Sequence, residues 1–246
     1  LYMISLMRKV SQISQPISPL VSLRENTANL QRTVAKSVDL NDVPHYRITS
    51  PIQTAREYLA KFNSEFGEPK SSTYVCEEIK RAKLNGASED EMTKLLEKRQ
   101  QYQKQVKILR KNMWSQKFSS FEEYTEYLSQ YVKDKGTFVN CNETLDLLTS
   151  MLQKRGIDSK RVYMHSVDSM GNSTSKAEHV FCVLGLDKNA KISDPATWGK
   201  SAVICDPWAK FAKGAKEGLM EYEKLFTLDK TKHNIIFEEC QKSFPH

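Results

Sequence analysis

Three side chains that together make an acyl-transfer nucleophile workable occur in order along the second half of this 246-residue chain: Cys141, His179 and Asp206. A thiol attacks a carbonyl carbon as its thiolate, so it needs a base within hydrogen-bond reach. The base in turn needs an acceptor on its other nitrogen to fix its tautomer and orientation. The local context of each residue suits its part. Cys141 follows Asn140, a good helix N-cap, and Glu143 is spaced to reach back to the Asn140 amide as a capping box. Leu145, Leu148, Met151 and Leu152 recur at helical spacing, and Gly156 marks the stop. Cys141 is then the first helical residue, beside unpaired N–H groups and the positive end of the helix dipole, both of which favour the thiolate.

His179 opens a run of strand-forming residues and Asp206 closes the next one. Consecutive antiparallel strands pair, so groups at one edge of a hairpin lie close together. That arrangement lets Asp206 hold His179, and His179 face Cys141 across the helix mouth. Pro207 fixes the chain leaving Asp206, and Trp208 is placed to keep water from the Asp–His bond.

The positioning elements read as follows. Residues 1–50 form an arm broken by Pro16, Pro19 and Pro44, with one short helix near Arg24–Ser37. Pro51 opens a helix bearing Ala55, Tyr58, Leu59 and Phe62, which ends at Gly67-Glu68-Pro69; a second helix fits Ser72–Asn85. Ser88-Glu-Asp-Glu91 caps a long helix with a stripe of Met92, Leu95, Leu96, Tyr102, Val106, Leu109 and Met113. Ser120-Phe-Glu-Glu123 starts another, carrying Tyr124, Tyr127, Leu128 and Tyr131. Beyond the Cys141 helix the period turns alternating. Strands are expected at Arg161–Val167, His179–Leu184 and Ser201–Cys205, with a loop over Asp168–Lys176 and a polar connection over Leu186–Lys200. A helix at about Gly218–Leu225 and a strand at Asn234–Phe237 complete the chain.

Other residues compete for these roles. His165 is a rival base, although its strand position favours packing. Asp194 before Pro195 is a rival orienter that reads equally as a turn opener. Gln130 and Gln116 are candidates for an oxyanion donor beside the backbone N–H of Cys141. His45, His233 and His246 sit in polar or terminal stretches and carry no signal. Cys182 and Cys205 fall inside strands and read as core thiols. A zinc site built from Cys141, His179, Cys182 and Cys205 has no Cys-x2-Cys pair, and strand alternation puts His179 and Cys182 on opposite faces.

Composition bounds the rest. At 39% hydrophobic and 27% charged, the chain has an ordinary globular makeup. No apolar run approaches the roughly 20 residues of a membrane span. In Leu1–Val10 the basic Arg8 and Lys9 follow the apolar residues, the wrong order for a secretory signal. The net charge of +7 points to acidic partners. The lysines are not interleaved with aromatics, so nucleic-acid binding has no support. Lys98–Phe121 holds seven Lys/Arg and no acid, which is either a solvated basic face or a docking surface for an acidic partner. Five cysteines without regular spacing fit free thiols in a reducing compartment.

Cys141-x-Glu143 with Leu147-Leu148, Leu152, Gly156-Ile157 and Arg161-Val162 resembles the Cys helix and following strand of transglutaminase-like proteins. His179-Val-Phe181 and Val203-Ile-Cys-Asp206-Pro-Trp208 resemble that superfamily's second and third catalytic segments. The likeness covers about Gly136–Phe211, and is nearest to bacterial effector and toxin domains with a papain-like Cys-His-Asp core. It implies an α+β fold: an arm at 1–50, a helical region at 51–130, and a papain-like or transglutaminase-like core at 131–246 with the Cys141 helix packed on an antiparallel sheet. It also implies cysteine-dependent acyl transfer on a protein substrate, with Cys141 as nucleophile, His179 as general base then acid, and Asp206 as orienter. No metal or organic cofactor is expected. Glutamine deamidation or transglutamination is the leading expectation, in a bacterial effector acting on a host protein in host cytosol. A thiol protease is the alternative, and a non-catalytic binding module using the basic helix at 98–117 is the second.

Overall fold

The computed structural model describes residues 49–228, 231 and 233–240. Nearly all of the 1–50 arm, including the helix expected near Arg24–Ser37, lies outside the described residues, as do His45 and His246. Within them the chain is a mixed α+β structure built around one five-stranded antiparallel sheet.

Helix starts are set by local polar chemistry. In α1 (Pro51–Phe66), Ser50 and Gln53 close a reciprocal capping box and Pro51 occupies the first turn; Gly67, at φ 74°, ends it. Ser71, Ser88 and Ser120 cap α2 (Ser72–Leu84), α3 (Glu89–Trp114) and α4 (Phe121–Lys135). Helix α5 (Cys141–Gln153) begins at the cysteine, as the spacing predicts. Long α3 differs from expectation in its first half. Of its predicted stripe, only Val106, Leu109 and Met113 are buried, and Leu96 is exposed, because among the described residues that half packs mainly on α2.

The sheet runs β4-β3-β2-β1-β5. Its members are β1 (Lys160–Val167), β2 (Ser173–Leu184), β3 (Val203–Asp206), β4 (Phe211–Gly214) and β5 (Asn234–Glu239). Three elements depart from expectation. The loop expected over Asp168–Lys176 shrinks to a tight turn in which Asp168 Oδ1 accepts from the Met170 and Asn172 amides, so β2 starts at Ser173. Strand β4 has no alternating signature; it forms because the turn after Asp206, with Lys210 at φ 64°, folds the chain back onto β3. Helix α6 (Ala215–Leu225) starts three residues earlier than expected, directly from the end of β4.

Period-two alternation splits the core across the sheet. Val180, Cys182, Leu184, Val203 and Cys205 face a cluster built with α1, α3, α4 and α5. Val162, Met164, Phe181, Val183 and Ile204 face a second cluster with Trp198, Trp208 and α6. Half-buried Cys141 packs against both clusters. Among the described residues no helix is long and apolar enough to cross a membrane.

Candidate active site

The N-terminus of α5 is anchored from two sides. Glu143 Oε2 accepts from the Asn140 amide at 3.0 Å, and Arg110 of α3 donates from Nε to Glu143 Oε1 at 2.7 Å. Burial opposes the Arg110 charge, but the Glu143 bond and the fields of Glu143 and Cys141 outweigh it and raise its pKa. From the other side, Asn140 Oδ1 accepts the Ser71 hydroxyl at 2.9 Å, tying the start of α5 to the start of α2. The backbone of the residue before Cys141 is thereby held, and the first turn of α5 keeps a fixed aspect.

The register of β2 against β3 pairs Cys182 with Cys205. Extending it by one residue sets Asp206 opposite Phe181, a diagonal step from His179 on the same face. The side chains meet: His179 Nε2 lies 2.6 Å from Asp206 Oδ2, with His179 only 1% and Asp206 2% exposed. Asp206 Oδ1 accepts from the Ala209 amide, and the Tyr222 hydroxyl donates to Oδ2 at 2.5 Å. Buried His179 Nδ1 has no hydrogen-bond partner among the described residues. Cys141 is close enough to the imidazole to help raise its pKa. Burial disfavours the imidazolium, but the Asp206 charge and hydrogen bond, with Cys141, win and push the His179 pKa up to about 9. A paired, hydrogen-bonded cation in an apolar surround behaves in this way.

Aromatic rings close the site. Trp208 lies over the imidazole with centroids 4.3 Å apart, Tyr222 meets it edge-on at 5.1 Å, and Phe226 stacks behind Trp208. Trp208 Nε1 donates to Ser71 Oγ at 2.7 Å, so Ser71 ties the ring over His179 to the residue before Cys141. The structure thus brings Cys141, His179 and Asp206 into one locus, and the arrangement can present a thiol, a held imidazole and the free amide of a helix start to a carbonyl group.

The rivals lie elsewhere. His165 is half-buried on β1 with its ring against Tyr163. Asp194 is exposed and caps the short 3-10 turn Pro195–Thr197 by accepting from the Ala196 amide. Gln130 bonds Asp134 and borders the far half of α5 with Leu147, Ser150 and Lys154; Gln116 is exposed past the end of α3. Cys182 and Cys205 are buried, and desolvation pushes the Cys182 pKa up to about 12 and that of Cys205 well above its ordinary value. Among the described residues no His, Cys, Asp and Glu cluster could hold a metal ion.

Sequence reasoning missed Tyr222, Ser71 and Arg110, each brought in by a distant element. Only Tyr222 left a trace: Gly218 one turn earlier, where a Cβ would lie 2.9 Å from Ile204 Cδ1, allows α6 its close approach to β3. Comparisons with protein families, with characterised proteins and with solved structures found no match to this chain.

Proposed function

We propose that this protein is a cysteine-dependent acyl-transfer enzyme with a papain-like or transglutaminase-like core, acting on a protein substrate. The observation that carries the reading is the His179 imidazole, fixed at Nε2 by buried Asp206 while its other nitrogen is left to the Cys141 thiol. A purely structural histidine in a core normally has both nitrogens satisfied.

The Cys141 thiolate attacks the carbonyl carbon of a carboxamide or peptide bond, and the oxyanion is met by the backbone N–H at the start of α5. His179, as imidazolium, gives its proton to the departing ammonia or amine, leaving a thioester on Cys141. It then removes a proton from the incoming water or amine, which displaces the sulfur. Asp206 keeps the imidazole in the required orientation and stabilises its charge.

Glutamine deamidation or transglutamination is the leading assignment, on the likeness of the Cys141, His179 and Asp206 segments to effector and toxin domains; a host protein in host cytosol is the corresponding target. Peptide hydrolysis uses the same groups. Mass spectrometry of protein substrates incubated with the wild type and with Cys141→Ala separates them. Amide-to-acid conversion at glutamine identifies deamidation, cross-links identify transamidation, and new termini identify proteolysis. A wild-type product pattern unchanged in Cys141→Ala overturns the reading.

A further inference from the structure

Helix α3 has a second face that no ion pair neutralises among the described residues. Lys104, Lys107 and Lys111 recur on one side of the helix, opposite buried Val106, Leu109 and Met113, and none of the three is in a salt bridge. Leu96, Ile108 and Trp114 stand exposed with them, Trp114 at 71%. Gln100, Gln103 and Ile108 fill the surface between the lysines. From Leu96 to Trp114 the face is about 27 Å long at the helical rise.

The same helix reaches the candidate active site. Arg110 projects from the flank between this face and the buried one, bonds Glu143 at 2.7 Å, and carries a charge that acts on Cys141. The basic face therefore borders the mouth at which Cys141 lies.

We propose that this face of α3 is a docking surface for an acidic segment of the protein substrate, studded with apolar side chains, which it holds next to Cys141. The proposal rests on the acyl-transfer reading for its role and on the α3 face for its chemistry. Uncompensated lysines select carboxylates and speed encounter, while Leu96, Ile108 and Trp114 require apolar partners. A phosphate backbone offers no such partners. A lipid surface suits a face that is apolar along its centre, and here the centre is lysine and glutamine.

The test uses three alkylating probes on the full chain: chloroacetamide, an acidic amphipathic peptide carrying a chloroacetyl group, and the same peptide with Gln and Asn replacing Glu and Asp. The acidic peptide should alkylate Cys141 about tenfold or more faster than the neutral one, an advantage that fades toward roughly 0.5 M salt. K104E/K107E/K111E should abolish the advantage while leaving the chloroacetamide rate unchanged. Equal rates for the two peptides overturn the docking surface, as does an advantage that survives charge reversal. So does a charge-reversed protein that keeps the advantage but loses binding to phosphatidylserine vesicles or to RNA. If chloroacetamide shows no preference for Cys141 over the other cysteines, the acyl-transfer reading fails instead. The docking surface is then judged by fluorescence anisotropy of an unreactive acidic peptide, which must weaken on charge reversal.

Discussion

Two buried carboxylates lie in or beside the Cys141 helix in nearly the same dress, one paired with an arginine and the other with a histidine. Asp146, on α5 itself, meets Arg161 at 2.6 Å and takes the Tyr124 hydroxyl at 2.9 Å. Asp206, on β3, meets His179 at 2.6 Å and takes the Tyr222 hydroxyl at 2.5 Å. The cation makes the difference. Arg161 is permanently charged and bonds Thr149 as well, so its site is a clamp between α5 and β1. His179 titrates, and its second nitrogen is left for a half-buried thiol at a helix mouth. Even so, burial outweighs Arg161 and raises the Asp146 pKa to about 6, which marks that pair as costly to keep charged. On the proposed reading, the permanent cation makes the same set of groups a clamp, and the titratable one makes it a reagent.

The sharpest test of this difference is to remove the reagent. Cys141→Ala or His179→Ala should lower turnover on a protein substrate by about 10⁴-fold, with unfolding midpoints near wild type for the cysteine variant. The clamp should respond the other way. Asp146→Ala strands the buried Arg161 and should cost about 3–5 kcal/mol in denaturant unfolding, while the iodoacetamide labelling rate of Cys141 in the folded protein stays close to wild type. Collapse of labelling in a still-folded Asp146→Ala protein would erase the distinction between the two sites.

Proton linkage gives a finer comparison. The imidazolium must be present to protonate the leaving group, and it is lost as pH rises through about 9, so the upper limb of acylation should fall there. Asp206→Asn should move that limb down toward the ordinary histidine value of 6.5 and lower the plateau. The sign for folding agrees. A folded pKa above the unfolded one contributes stability that is complete below 6.5 and disappears as pH passes about 9. Asp206→Asn should flatten that dependence. A limb that stays at the same pH in both proteins would remove His179 from the acid role.

The smallest effect belongs to Tyr222. Tyr222→Phe takes one donor from Asp206 Oδ2, the oxygen His179 also uses. The variant should lose about 1 kcal/mol of stability. Its acylation limb should rise slightly, because the carboxylate charge is then shared with one donor fewer. A fall in the limb would mean that Tyr222 acts through ring packing on His179 rather than through Asp206.

How much of this was legible in the sequence follows from the range of the forces involved. Ser88 and Ser120 announce their helices because a cap and its amide are three residues apart, and Pro51 announces its own because its fixed φ suits a first turn. The place of Cys141 at the start of α5 and the separation of Cys182 from His179 by strand alternation rest on the same short reach. The pairing of β2 with β3 could be anticipated because consecutive strands tend to pair, whereas its register could not. Strand β4 carried no such signal, since its pairing with β3 depends on a single turn.

By itself, then, the sequence determined the capped helices, the alternating strands and the order in which Cys141, His179 and Asp206 occur, because hydrogen bonds within a turn and side-chain periodicity are properties of neighbouring residues. Only the tertiary structure decided that Tyr222 shares Asp206 with His179, that Ser71 ties Trp208 to Asn140, and that Arg110 stands beside Glu143. Those contacts join residues 33, 69 and 137 positions apart, and 16 for Tyr222. They exist because α2, α3 and α6 pack their apolar faces onto the rest of the core and carry polar groups with them.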